Sequence, residues 1–160
     1  AICSARRIYV TGCRASSMLS WFMTYYLNLV MPNVTNVKAA SSDEMFQEII
    51  RISADDVMIG ISFPRYSHRT KTALEFAKDR GAKVISITDC ENSPLVQCSD
   101  FSLFAKSDMA SFVDSLIAPL SVINALIVAI GRKKKDSLAA TFKDLEEIWE
   151  EYEVYEKPKG

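Results

Sequence analysis

Histidine is almost missing from this sequence, which has His68 alone in 160 residues, so a multi-histidine metal site is excluded. Glycine is sparse as well, at five residues. Of the three glycines that a nicotinamide fingerprint needs after a first strand, only Gly12 is in place. Neither sign of charge dominates: 19 basic residues face 20 acidic ones, a net charge of -1, so no global field favours nucleic acid or acidic membranes. A long hydrophobic run is also lacking. The longest strongly apolar stretch, Leu116 to Ile130, is interrupted by Pro119, Ser121 and Asn124, and is too short and too polar to span a membrane. The opening Ala1-Ile2-Cys3-Ser4-Ala5 has no basic segment followed by an apolar one, so no signal peptide is visible. It also lacks an initiator Met, which suggests a piece processed or excised from something longer. The four cysteines, Cys3, Cys13, Cys90 and Cys98, would permit two disulfides but match no zinc spacing. Reduced thiols are the expectation for an intracellular fold.

What is there is a regular alternation. Hydrophobic residues make up 49% of the chain and charged ones 24%, enough apolar material for one domain with a real core. Arg7 to Thr11 reads as a strand that stops at Gly12, and a helix follows from about Ser16 to Val30, apolar on more than one side. Val34 to Val37 is a second strand, and Ser42-Asp43-Glu44-Met45 opens a helix with Ser42 and Asp43 as cap candidates. Asp56 to Ser62 is nearly continuous in its apolar character, as a strand buried on both faces of a parallel sheet must be. A helix over Lys71 to Arg80 ends at Gly81. Lys83 to Thr88 is a fourth strand and Asp100 to Phe104 a shorter fifth. Two helices, near Ala110–Ile130 and Ser137–Tyr152, finish the chain. The expected fold is α/β: a three-layer α/β/α sandwich around a five-stranded parallel sheet, flavodoxin-like, with extra C-terminal helices. Residues 1–160 form one domain, its core about 6–130 and its last helix about 137–153.

In such sheets ligands sit at the carboxyl ends of the strands, where the strand order reverses. The loop after the first strand, Thr11-Gly12-Cys13-Arg14-Ala15-Ser16-Ser17, enters a helix whose first turn offers free N–H groups to an anion. Ser16 and Ser17 add hydroxyls, although Gly12 as a tight turn and Ser16 as a plain helix cap would explain this loop equally well. The loop after the third strand, Ser62-Phe63-Pro64-Arg65-Tyr66-Ser67-His68-Arg69-Thr70, is richer. Ser62, Tyr66, Ser67 and Thr70 supply hydroxyls with Arg65 and Arg69 among them, which suits a dianionic phosphate at a helix start.

The order of a strand, a G-x-x-x-S loop, a strand ending in a Ser-rich turn with a downstream Thr, then Lys83-Val84-Ile85-Ser86-Ile87-Thr88-Asp89 and Ser93-Pro94-Leu95, resembles the sugar-isomerase (SIS) domain. The Ile61-Ser62-Phe63-Pro64-Arg65-Tyr66-Ser67 form is most similar to SIS domains of RpiR-family bacterial regulators. These join a helix-turn-helix domain to a phosphosugar-sensing one, and the resemblance spans about Arg6 to Ile130. It implies that Ser16, Ser62, Ser67 and Thr70 hold the phosphate, with Ser17, Arg65 and Tyr66 at the same site. Arg14 stands where the usual G-x-G-x-S loop has its second glycine, and either supplies a cation or narrows the pocket. The Ser93-Pro94-Leu95 segment reads as a short helix start with Ser93 as cap, and Asp89 as a turn residue.

The resemblance leaves two activities open, beside the plainer option of a structural α/β dimerisation module with a vestigial pocket. A phosphosugar isomerase needs a base that shuttles a proton between neighbouring carbons. His68 sits in the phosphate loop, and from Phe101 to Arg132 the only acids are Asp108 and Asp114, leaving Glu44 or Glu48 as reserves. The reading is therefore a sensor with no catalytic residue, no metal and no cofactor; a free-standing aldose–ketose isomerase is the alternative. Its expected partners are a sugar phosphate, a second copy in a homodimer, and DNA only through an N-terminal helix-turn-helix absent from this sequence. No membrane is involved and the setting is cytoplasmic. Arg132-Lys133-Lys134-Lys135-Asp136 reads as a solvated turn between helices rather than a DNA contact. Leu138, Phe142, Leu145, Trp149 and Tyr152 form an apolar stripe on the last helix, to pack on its own core or on a partner.

Overall fold

Val57-Met58-Ile59-Gly60-Ile61 has almost nothing polar to turn toward water, so both of its faces must be covered. In the structure, a computed structural model that describes residues 1–38, 41–107 and 112–156, this segment is β3 (Val57–Ile61) and every residue in it is buried. It lies between β1 (Ile8–Gly12) and β4 (Lys83–Thr88), with β2 (Val34–Val37) beyond the first and β5 (Phe101–Phe104) beyond the second. The order is β2-β1-β3-β4-β5, and all neighbouring strands are parallel.

The period-2 alternation of each strand sorts side chains into two cores. Ile8, Val10, Ile59, Ile61 and Ile85 face one layer, formed by α1 (Ala15–Asn28) through Leu19, Met23 and Leu27 and by α4 (Ile117–Lys133) through Ile123 and Ile130. Tyr9, Met58 and Val84 face the other, formed by α2 (Ser42–Ile49) through Met45 and Ile49 and by α3 (His68–Asp79) through Ala73, Leu74 and Ala77. This is the three-layer sandwich expected, its helices covering both faces. A last helix, α5 (Lys135–Glu151), has no buried residue at all. From its stripe Leu138 reaches the first core, while Phe142 and Tyr152 are exposed.

Two glycines are demanded by geometry. A Cβ on Gly12 would lie 2.5 Å from the Ser16 carbonyl oxygen, so only glycine lets α1 start this close to β1. Gly81 has φ +80° just past α3, where its N–H reaches the Lys78 carbonyl and closes the helix.

Several boundaries differ from the sequence reading. The cap of α2 is Ser41, whose hydroxyl accepts from the Glu44 N–H, and not Ser42 or Asp43, which lie inside the helix. The helix expected from Ala110 begins at Ile117; Asp108 and Ala110 lie outside the described residues. α3 starts three residues before Lys71, at His68, because Ser67 caps it. The short helix after β4 is a 3-10 turn over Val96–Cys98 with no side-chain cap, so Ser93 does not cap it. The Ser93 hydroxyl oxygen accepts from the Thr88 hydroxyl at 2.7 Å and, one residue ahead of that turn, from the Leu95 N–H at 3.4 Å. The basic run is a joint, as expected: α4 ends at Lys133 and α5 begins at Lys135. The four cysteines are all free thiols. Among the described residues no helix is long and apolar enough to cross a membrane.

Candidate functional site

The chain leaves β1 for one neighbour and β3 for the other, so the strand order reverses between them and a crevice opens at their carboxyl ends. Two loops meet there. The first makes its turn through Arg14, at φ 56° and ψ -128°, a conformation that glycine adopts freely and a side chain does not. The Cys13 and Arg14 carbonyls accept from the N–H groups of Ser16 and Ser17, which starts α1. The Ser17 hydroxyl donates back to the Arg14 carbonyl at 2.6 Å, so Ser17 braces this turn. Ser16 is buried.

The second loop is folded on its own hydroxyls. Ser62 is buried at the end of β3, and its oxygen accepts from the Ser67 N–H at 2.9 Å, drawing the loop into a tight arch. Ser67 caps α3, its oxygen accepting from the Thr70 N–H at 3.3 Å. Both oxygens act as acceptors here, so each hydroxyl keeps its proton to give to an anion. Thr70 is fully buried and donates to the Cys13 sulfur at 3.5 Å, a contact between the two loops. Arg65 occupies the left-handed region at φ 62°.

Tyr66 points away from this arch. Its hydroxyl donates to the Asp89 carboxylate at 2.8 Å, tying the loop after β3 to the end of β4. Burial, then the bond to Asp89 and its charge, push the Tyr66 phenol well above its ordinary value. Burial by itself would raise the Asp89 carboxyl; hydrogen bonds led by that of Tyr66 hold it below the usual carboxylate range. Asp89 is thus more than a turn residue.

A cavity of about 360 Å3 opens above the two loops. Arg14 and Ser16 line it from the first loop, and Phe63 and Arg65 from the second. Among the described residues Ser107, Asp114 and Leu116, ahead of α4, form a further wall. Of the residues singled out by sequence, the structure places Ser16 and Arg65 on this wall. Ser62, Ser67 and Thr70 form the arch at the start of α3, and Ser17 and Tyr66 brace from outside. The sequence does not single out Ser107 or Leu116 and offers Asp114 only as an acid: nothing local marks them, since the chain returns to the cavity some forty residues after Arg65. His68 is an exposed first residue of α3, and the Glu48 carboxylate accepts from the Lys38 N–H at 2.8 Å. Neither lines the cavity.

Comparison with known proteins gives a consistent picture. Residues 1–129 match the SIS domain family. A curated relative in Caldanaerobacter subterraneus, an uncharacterized HTH-type transcriptional regulator, is 26% identical over 152 residues, covering 92% of this chain and 53% of its own length. The sugar isomerase domain of an RpiR transcription factor from Sphaerobacter thermophilus superposes with a TM-score of 0.86 at 25% identity, over 91% of this chain and 81% of that one. The Vibrio vulnificus NanR protein, solved in complex with ManNAc-6P, shares the fold with a TM-score of 0.75 at 19% identity, over 91% and 57%. The chain spans about half the length of the curated regulators it matches.

Proposed function

The chain belongs to the SIS domain family, and from that premise we propose that it is the phosphosugar-binding effector domain of a bacterial RpiR-type regulator of carbohydrate metabolism. One observation carries the reading: a cavity of about 360 Å3 at the switch point of the sheet, with Arg14 and Arg65 on its wall and an arch of hydroxyls beside it at the start of α3. The phosphate is held by Ser62, Ser67 and Thr70 with Ser16, while Arg65 supplies charge. The sugar extends toward Ser107 and Asp114. DNA is bound by a helix-turn-helix elsewhere in the full protein, which acts in the bacterial cytoplasm. That two curated relatives matched over most of this chain are HTH-type regulators supports this part.

The domain binds rather than converts its ligand. An isomerase needs a base against the sugar carbons; neither His68 nor Glu48 lines the cavity, and Asp114, the one carboxylate among its described lining residues, serves in this reading as an acceptor for sugar hydroxyls. A homodimer completes the proposal. Met18, Trp21 and Tyr25 of α1 are 60%, 62% and 52% exposed, and α5 packs on its own domain only lightly, through Leu138, which leaves apolar surface for a second copy. A two-fold effector suits a palindromic operator.

A thermal-shift screen of sugar phosphates, with the parent sugars and inorganic phosphate as controls, tests the reading. A ligand that binds only the native state raises the melting temperature. Stabilisation by a sugar phosphate and not by its parent sugar is the expected result. No stabilisation by any sugar phosphate at millimolar concentration contradicts it. Conversion of an aldose phosphate to its ketose, abolished in Asp114→Asn or in His68→Gln, would make the domain an isomerase.

A further inference from the structure

The two cations on the cavity wall share an unusual trait. Four non-glycine residues among those described have positive φ, and two of them are Arg14 and Arg65. Arg14 is the more extreme, because ψ -128° takes it outside the small left-handed basin that side chains tolerate. A glycine would hold the same turn without strain, yet an arginine stands there on the wall of the candidate pocket. Among the described residues neither arginine has a carboxylate within ion-pair distance. They also enter from different loops, Arg65 beside the hydroxyl arch and Arg14 ahead of α1. The arch with Arg65 already meets the needs of one phosphate. Arg14 is a cation left over, on the other side of the switch point.

We propose that Arg14 is a specificity-determining residue that pairs with a second anionic group, so that the ligand class is a phosphorylated sugar acid rather than a neutral-headed sugar phosphate. The inference rests on the phosphosugar reading above and narrows it. A planar guanidinium matches a carboxylate through paired N–H donors, which a lone helix terminus does not offer. Asp114 and Ser107 on the further wall suit the hydroxyls between the two charged ends.

Calorimetric titration with matched pairs of compounds tests it: glucose 6-phosphate against 6-phosphogluconate, and ribose 5-phosphate against 5-phosphoribonate. Within a pair the phosphate and chain length are equal, but the aldose closes to a ring, so the open-chain glucitol 6-phosphate and ribitol 5-phosphate are titrated beside it as neutral comparators that differ from the acids at C1 alone. The full chain should favour the acid of at least one pair by about tenfold or more. In Arg14→Gly, which relieves the backbone and removes the cation, that ratio should fall to near one. A wild-type ratio near one, or a ratio that survives in Arg14→Gly while both affinities drop together, overturns the role given to Arg14 and leaves the phosphosugar reading intact. Binding of neither class at millimolar concentration overturns both.

Discussion

The buried Thr70 hydroxyl donates to the Cys13 sulfur at 3.5 Å, joining residues from the two loops that meet at the mouth of the sheet. A thiol is a weak acceptor, so this bond contributes little to stability. Its consequence is positional, since it sets the first turn of α3 against the start of α1. Thr70→Val keeps the shape and removes the donor. Unfolding free energy should change by less than about 1 kcal/mol, while affinity for the best sugar phosphate drops about tenfold or more. Urea melts and calorimetric titration on the same preparation separate the two effects, and equal affinity in the variant would remove Thr70 from the phosphate site.

Ser67 has two roles that different substitutions can separate. As the cap of α3 its oxygen accepts from the Thr70 N–H, and Ser67→Ala should cost about 1 kcal/mol of stability. Ser67→Asp keeps a capping oxygen and suits the helix dipole, so stability should hold. The added negative charge should nevertheless abolish phosphate binding. Retained binding in Ser67→Asp would show that the anion sits elsewhere.

Tyr66 and Asp89 join the loops after β3 and β4. Tyr66→Phe leaves a partly buried carboxylate short of a donor and should cost about 1.5–3 kcal/mol. The wild-type pair should also be sensitive to base. A phenol raised above its unfolded value contributes stability below about pH 10, and loses it as the pH climbs toward the folded value. Tyr66→Phe should therefore flatten the alkaline limb of a stability-against-pH curve, and an unchanged limb would contradict the assignment.

At the other end of the sheet Asp56 is buried. It accepts from the Arg6 guanidinium at 2.8 and 3.0 Å and from the Ser53 N–H at 2.9 Å. Burial works to raise its carboxyl, but the bonds from Arg6 and Ser53 outweigh it and the net direction is down. A carboxyl held below its unfolded value of about 3.9 stabilises the fold above that pH. The contribution disappears as pH falls through the folded value. Asp56→Asn should cost about 1.5–3 kcal/mol at pH 7, and the gap to wild type should narrow below about pH 4. Urea titrations at both pH values check the sign.

The outer face of α1 should be an interface between two copies of the chain. Trp21 and Tyr25 stack one turn apart with ring centroids 5.7 Å apart, both exposed. Trp21→Glu with Tyr25→Glu removes that surface without touching the core residues Leu19, Met23 and Leu27. Light scattering should give the mass of two chains for wild type and of one for the double variant, each with the same helical content. A wild-type monomer at micromolar concentration would rule the dimer out.

Much of this molecule was legible along the chain because the signals are local. The apolar run 57–61 can only be a central strand, and Gly81 has to end α3. The alternation restricts the strand order to a few arrangements, and the tertiary structure selected β2-β1-β3-β4-β5 among them. What tertiary structure alone decided depends on residues distant in sequence. It brought Ser107, Asp114 and Leu116 to the cavity that Arg14 and Arg65 begin, and turned Asp89 toward Tyr66. It also left Trp21 outside a helix whose apolar residues, read in a row, look equally fit for burial. Periodicity says which side chains share a face, while the neighbours each face meets are set by how the layers close on one another.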